Sequence, residues 1–373
     1  MSVVSRAAGR RWAAVIGGVV ALCLVPVVLT VWPAPEVRSD PQRLRSMILA
    51  SAGRPYQGFA ESDGSVGLPE LPGLADVSAL LSTDTRMRTW YAGPQAWRVA
   101  VVDLTGERDI YQTTDGKYVW DFERNLVTQM ADVPVRLPWA ADVTPPDLAR
   151  RLLRGAATGD RISGIGSRRV AGVVAAGLRI SPVDPDTTVG RVDIWADPAT
   201  GLPLRIEIAG HGGRSVLVSR FLEVSQRMPS RDVLLPALPA TADVAITSYS
   251  QIAAAINAVA PGALPPSLAG RPLGATPTSI TGVRSYGTGW SGFVVLRLPG
   301  RIGQRFADAV RAAGGVSSQL GNAEVLEINT SLLSTLIVRW TAAGRRTRTY
   351  LLAGLVSPSL LRQAGTELVA AAP

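Results

Sequence analysis

Apolar and polar positions alternate through much of this chain, and the breaks in that alternation mark out its parts. From Tyr56 to about Arg231 the period is two, interrupted by turn signals. "RMRTWYAGPQAWRVAVVD" reads as two strands around Ala92-Gly93-Pro94; in the second, Trp97, Val99 and Val101 share one face, and Ala96, Arg98, Ala100 and Val102 the other. "ERDIYQTTDGKYVWDFERNLVTQM" continues as a meander, with a tight hairpin at Asp115-Gly116 and a further turn near Arg124-Asn125. "RRVAGVVAAGLRISP", "VDIWADPATGLPLRIEI" and "RSVLVSRFLEVSQRM" supply later strands.

Two segments switch to a helical period. In "DPQRLRSMILASAG", Leu44, Met47, Ile48 and Ala52 fall on one face, Asp40 is the N-cap and Gly53 the stop. In "TPPDLARRLLRGAA", Thr144 caps, Pro145 suits the first position, and Leu148, Leu152 and Leu153 form a stripe. Helix, strands, helix, strands predicts an α+β unit over 43–240, with helices on the concave side of a curved antiparallel half-barrel sheet.

"PALPATAD", Pro236–Asp243, reads as a boundary. A smaller α+β unit follows over 246–373. It opens with a helix carrying Ile252, Ile256 and Val259, and it has strands in "WSGFVVLRLPG" and "STLIVRWTAAGRRTRTYLLAG". It also has a helix with Phe306 and Val310 inward, closed by Gly314, and a last helix capped by Ser357 with Pro358 at its start.

At the other end, Arg6, Arg10 and Arg11 precede a run from Trp12 to Trp32 without charge, long enough to span a bilayer. This predicts an uncleaved signal anchor at 12–32, a cytoplasmic N-terminus at 1–11, a linker at 33–42 and an extracytoplasmic bulk: a single-pass protein of the cell membrane. "VWPAPEV" makes a poor cleavage site, because Pro33 and Pro35 crowd it.

Composition narrows the chemistry. One cysteine, Cys23, and one histidine, His211, exclude an intrachain disulfide and a Cys/His zinc site. His211 lies in "AGHGGRS", a glycine-rich turn, where a solvated role outweighs a catalytic one. "GTGWSG" has the wrong spacing for a nucleophile elbow, and the only lysine, Lys117, is in no phosphate loop. Nothing marks the pairs Asp103/Glu107 or Asp121/Glu123 as a buried acid and base. The expectation is no enzyme, no cofactor and no metal. The net charge of +9 is not read as nucleic-acid binding, because the bulk lies outside the membrane.

Two residue sets are candidates for binding. Trp90, Trp97, Trp120, Phe122, Trp139 and Trp195 fall in the first unit, mostly on strands. They form either a conventional core or the lining of an apolar cavity able to hold an acyl chain. In the second unit, "GRRTR" puts Arg345, Arg346 and Arg348 at a hairpin tip, either as a solvated turn or as a contact for anionic lipid or an acidic partner. The knot Asp197-Pro198-Ala199-Thr200-Gly201 reads as a turn. Proline sits at its second position, glycine at a left-handed residue, and Asp197 bonds its own backbone.

The strings "RPYQGFAE", "RTWYAGPQAWRV", "YVWDFERNLVTQM" and "VDIWADPATGLPLRIEI" resemble the exported LolA/RseB (MucB) superfamily in its actinobacterial form, over roughly residues 42–235. The resemblance implies a half-open antiparallel sheet around an apolar cavity that binds lipid or lipoprotein acyl chains, with no catalytic residues. It also implies a carrier role, or a sensor role that regulates an anti-sigma factor. An anchored chain cannot shuttle, which favours a sensor, regulator or stationary acceptor. The alternative is a protein-interaction module acting on an envelope membrane protein without a lipid ligand.

Overall fold

The computed structural model describes residues 35–69, 75–102, 106–130, 137–236, 241–247, 257–258, 264–274, 283–341 and 347–371. The expected anchor at 12–32, the stripe Ile252, Ile256 and Val259, and the tip residues Arg345 and Arg346 lie outside them. Among the described residues no helix is long and apolar enough to cross a membrane.

The first helix, α1 (Pro41–Ala50), starts where Asp40 accepts a hydrogen bond from the Arg43 amide, and it buries Leu44 and Ile48. A 3-10 turn carries the chain on to Gly53. Then come β1 (Tyr56–Gly64), α2 (Ala75–Ser82), β2 (Asp84–Gly93), β3 (Ala96–Val102), β4 (Glu107–Thr113), β5 (Gly116–Asp121) and β6 (Leu126–Met130). The expected turns are present: β4 and β5 meet around Asp115-Gly116, and Asn125 turns with φ +49. Helix α3 (Pro145–Gly155) begins with proline at its first turn, but the Thr144 hydroxyl bonds back to the Ala141 carbonyl and does not cap it. Next are β7 (Arg161–Val170), β8 (Val173–Ser181), β9 (Val189–Ala196), β10 (Pro203–Gly210), β11 (Ser215–Ser225), a single helical turn α4 (Arg231–Leu234) and β12 (Asp243–Thr247).

These twelve strands form one sheet in the order β12-β6-β5-β4-β3-β2-β1-β11-β10-β9-β8-β7. It is mixed, not purely antiparallel, because β12 runs parallel to β6. The cause is the return path. After β11 the chain passes α4, which lies against β2, β3 and β4. It then reaches the start of β6, where Asn125 holds the Thr241 carbonyl through its side chain and the Asp243 amide through its backbone carbonyl. A segment entering from that end can only run alongside β6. The large sheet therefore takes in residues beyond 240.

Helices α1 and α3 lie on one face of the sheet. Leu44, Ile48, Leu148, Ala149, Leu152 and Leu153 pack against Leu178, Ile180, Val192, Ile194, Ile206 and Ile208, all of them buried. A second cluster, with Tyr56, Met87, Tyr91, Val99, Ile110, Leu204 and Phe221, continues the core beneath β1–β4.

The smaller unit has a two-stranded ribbon, β13 (Ser267–Leu268) with β14 (Arg271–Pro272), and a six-stranded antiparallel sheet. That sheet comprises β15 (Val283–Tyr286), β16 (Phe293–Leu298), β17 (Val316–Leu320), β18 (Ala323–Asn329), β19 (Ser334–Thr341) and β20 (Thr347–Gly354), in the order β15-β16-β20-β19-β18-β17. Helix α5 (Gly300–Ala312) packs Phe306 and Val310 on one face; α6 (Pro358–Ala370), capped by Ser357, packs Leu360, Leu361 and Ala364 on the other.

The two units are joined tightly. The Thr188 amide bonds the Leu355 carbonyl at 2.9 Å and the Ser357 amide bonds Asp186 at 2.6 Å, so the 184–188 loop is clasped like a short strand. The Thr187 hydroxyl bonds Trp290 and Leu355 carbonyls, and Arg271 reaches Asp184 at 2.8 Å. Trp290 and Leu332, from the smaller unit, are buried in the core of the larger one.

Candidate functional site

The Asp197 turn is structural. Its carboxylate accepts from the Ala199 amide, the Thr200 hydroxyl and the Gln226 amide group. Burial pushes its pKa up, but these hydrogen bonds outweigh it and hold the group below the usual carboxylate range. Gly201 has φ +75, and a Cβ there would come within 2.5 Å of the Met47 carbonyl, so the turn packs close against α1. His211 is exposed and its Nε2 lies 2.7 Å from the Thr187 carbonyl at the junction between units.

The six aromatic candidates are dispersed. Trp97, Trp139 and Trp195 pack into the cluster beneath β1–β4, and Trp195 donates to the Gly166 carbonyl at 3.0 Å. Trp120 stacks on Phe122 with ring centroids 3.8 Å apart, in a separate cluster with Tyr111 and Val127. Trp90 stands apart from both, on a groove. Of the basic trio, Arg348 is described and lies on β20, half-buried. Around it, much of the smaller unit's positive charge is committed to ion pairs. Arg339 reaches Glu324 at 3.1 Å, Arg362 reaches Glu327 at 2.5 Å, and Arg311 pairs with Asp308 and Glu324.

The groove follows from strand pairing. Phe59 sits between Arg88 of β2 and Glu223 of β11; Gln57 sits between Trp90 and Ser225. Alternation turns these side chains to the face opposite Tyr56, Ala60, Met87 and Phe221, away from the core. With Gly58 and Val224 they line an open groove of about 310 Å³. Gly58 is required there. A Cβ at that position would come within 2.4 Å of the Glu223 carbonyl, where a register shift in the β1–β11 pairing brings the strands close. Phe59 and Trp90 are half-buried, and the Arg88 guanidinium lies 5.9 Å from the Phe59 ring. The groove thus offers two half-buried aromatic side chains, Phe59 between a cation and a carboxylate and Trp90 in the adjoining row beside Gln57.

Behind Trp90 is a buried polar cluster. Arg98 stacks over Trp90 at 4.8 Å and over Tyr111 at 5.3 Å, and it pairs with fully buried Asp109 at 2.7 Å. The Tyr111 hydroxyl donates to the same carboxylate at 2.7 Å. Burial raises the Asp109 pKa above the usual range, and the bonds from Tyr111 and Arg98 counter this only in part. This cluster fixes the wall of the groove.

Beside the groove on the same face, three carboxylates are each held by two arginines. Glu61 accepts from Arg220 at 2.8 Å and Arg86 at 3.4 Å; Glu207 accepts from Arg168 at 2.6 Å and Arg205 at 2.7 Å; Asp193 accepts from Arg179 at 2.6 Å and Arg191 at 3.2 Å. The pairs hold the Glu61 carboxyl below its ordinary value, with the Arg220 hydrogen bond the largest cause. Among the described residues no group of three or more His, Cys, Asp or Glu side chains is placed to hold a metal.

No protein-family model matches the sequence, and no curated protein matches it. Among solved structures the chain is similar to MucB, at 16% identity and a TM-score of 0.46, covering 88% of this chain and 97% of that one. It is similar to the MucA/MucB complex of Pseudomonas aeruginosa at 17% identity and a TM-score of 0.46, covering 88% and 97%. A LolA superfamily protein of Nitrosomonas europaea matches at 12% identity and a TM-score of 0.25, over 53% of this chain and 99% of that one.

Proposed function

We propose that this chain is a non-catalytic binding protein of the cell envelope, anchored through the Trp12–Trp32 run, that takes a polypeptide segment of an envelope membrane protein into the Phe59/Trp90 groove. The observation that carries the reading is the groove itself. It places half-buried Phe59 between Arg88 and Glu223 with Trp90 in the next row, backed by the Arg98–Asp109–Tyr111 cluster, which suits a side-chain anchor of an extended segment. A regulator that holds an anti-sigma-like partner is one protein of this kind. The acyl-chain reading asks instead for open space between helices and sheet. Leu44, Ile48, Leu152 and Leu153 occupy that space in contact with the strands, so lipid entry requires α1 and α3 to move aside.

A photo-reactive phenylalanine analogue in place of Gln57, on the groove rim, tests this in cells making the full chain. The expected product is one defined membrane-protein adduct, identified by mass spectrometry, that is lost in a Phe59→Ala/Trp90→Ala background and retained when Arg345, Arg346 and Arg348 are changed to alanine. An adduct indifferent to Phe59 and Trp90 overturns the reading. Stoichiometric lipid in detergent-free ectodomain, released by substitutions beneath α1 and not by those in the groove, would establish the acyl-chain reading in its place.

A further inference from the structure

The paired arginines beside the groove outnumber the carboxylates they hold. Six guanidiniums meet three carboxylates, and the two are layered. Side-chain exposure is 12% for Glu61, 14% for Glu207 and 4% for Asp193, against 63% for Arg86, 47% for Arg168, 45% for Arg220, 38% for Arg179 and 27% for Arg191; Arg205, at 15%, lies as deep as Glu207. What solvent meets is a ladder of guanidinium groups over sunken carboxylates. In the β10–β11 pairing, Arg205 stands directly opposite Arg220. Like charges in that position are unfavourable, and a sheet built only for stability has no need of them. The surplus is local. Arg88 is balanced by Glu223 across Phe59, and Asp63 and Asp84, opposite one another at the far ends of β1 and β2, bound the ladder on that side.

The ladder and the groove are continuous. Along β1, Glu61 follows Phe59 at strand spacing, and along β2, Arg86 precedes Arg88 and Trp90, so all of them share one face. We infer that the segment bound in the groove is acidic, an extended polypeptide whose aspartate or glutamate side chains lie on the arginine ladder, which runs from Arg86 of β2 across β11, β10, β9 and β8 to Arg168 of β7, while an apolar side chain enters between Phe59 and Trp90. This rests on the groove being a polypeptide site. A polypeptide fits better than a bilayer surface, because both aromatics are half-buried among Gln57, Arg88, Glu223 and Ser225 and make no exposed apolar patch. Guanidinium forks suit carboxylates in pairs, and each ladder arginine keeps donors beyond those its own carboxylate takes.

The test uses the full chain in detergent and two labelled fifteen-residue peptides of like sequence around a central Phe-Leu pair, one carrying six glutamates and the other six glutamines. Fluorescence anisotropy should give binding at least about tenfold tighter for the glutamate peptide, weakening as salt rises and screens the ladder. The decisive variant is Arg86→Gln/Arg168→Gln/Arg191→Gln. It removes one arginine from each carboxylate and leaves Arg220, Arg205 and Arg179 in place, so each buried acid keeps a partner. Its unfolding midpoint should stay near the parent's while the preference for glutamate falls by about fivefold or more. The control is Arg301→Gln/Arg305→Gln on α5, which removes exposed charge elsewhere and should change nothing. Equal binding of both peptides, an equal loss in the control, or binding only to phosphatidylglycerol vesicles would each overturn the inference. A groove adduct whose yield ignores the triple variant and salt would remove the acidic segment and leave the groove reading standing; absence of a groove-dependent adduct would remove both.

Discussion

At the residue scale, the Asp197 turn shows how a motif that looks chemical becomes structural. Its carboxylate is spent on three donors, and Gly201 is placed where a side chain would strike the Met47 carbonyl. Gly201→Ala should therefore cost more than about 1 kcal/mol in a urea titration, through both the positive φ and the contact. The acid dependence carries a sign. The folded carboxyl lies below its unfolded value of 3.8, so its contribution is full above that pH and is lost as pH falls through the folded value. Asp197→Asn should be less stable at neutral pH and show a flatter loss of stability below about pH 4 than the parent protein.

Turn chemistry, caps and alternation are local, and they were legible. The Asp40 and Ser357 caps, the Asp115-Gly116 hairpin and the left-handed Gly201 all stand where the pattern placed them. Thr144 is the exception, because its hydroxyl finds a nearer acceptor in the preceding 3-10 turn.

At the scale of elements, the groove was not legible, since it depends on β1 pairing with β11 across more than 150 residues. Alternation alone puts Phe59 with Glu61, and Arg86 with Trp90, on shared faces. Nothing in the pattern says that these faces meet. The six aromatics share a residue type but not a register, and they scatter for the same reason: neighbouring strands share a face only in the register that pairing sets. β12 is not legible in the sequence, because its five residues follow a proline-rich stretch with the pattern of a boundary. Its side chains are weakly held, with Val244 64% and Ile246 69% exposed, so the strand adds backbone pairing and little burial. Edge strands of this kind promote association. Val244→Lys/Ile246→Lys should lower self-association in sedimentation without lowering the melting temperature.

At the scale of the molecule, two units were visible in the sequence, but not the coupling between them. Trp290 lies in a string that resembled a failed catalytic elbow. Its role is to fill the larger unit's core, held where Gly289 lies against Gly155 so closely that a Cβ would come within 2.1 Å of its carbonyl. With Thr187 and Thr188 clasped as well, the chain should unfold in one calorimetric transition. Trp290→Ala should cost about 3–5 kcal/mol and split that transition in two.

The face of the large sheet opposite α1 and α3 is proposed to bind a polypeptide through Phe59 and Trp90. The most direct measurement is photo-crosslinking from position 57 in cells making the full chain. The expected result is a single membrane-protein adduct that disappears in the Phe59→Ala/Trp90→Ala background while the fold is retained. An adduct that survives those two substitutions, or one formed only with lipid, would contradict it.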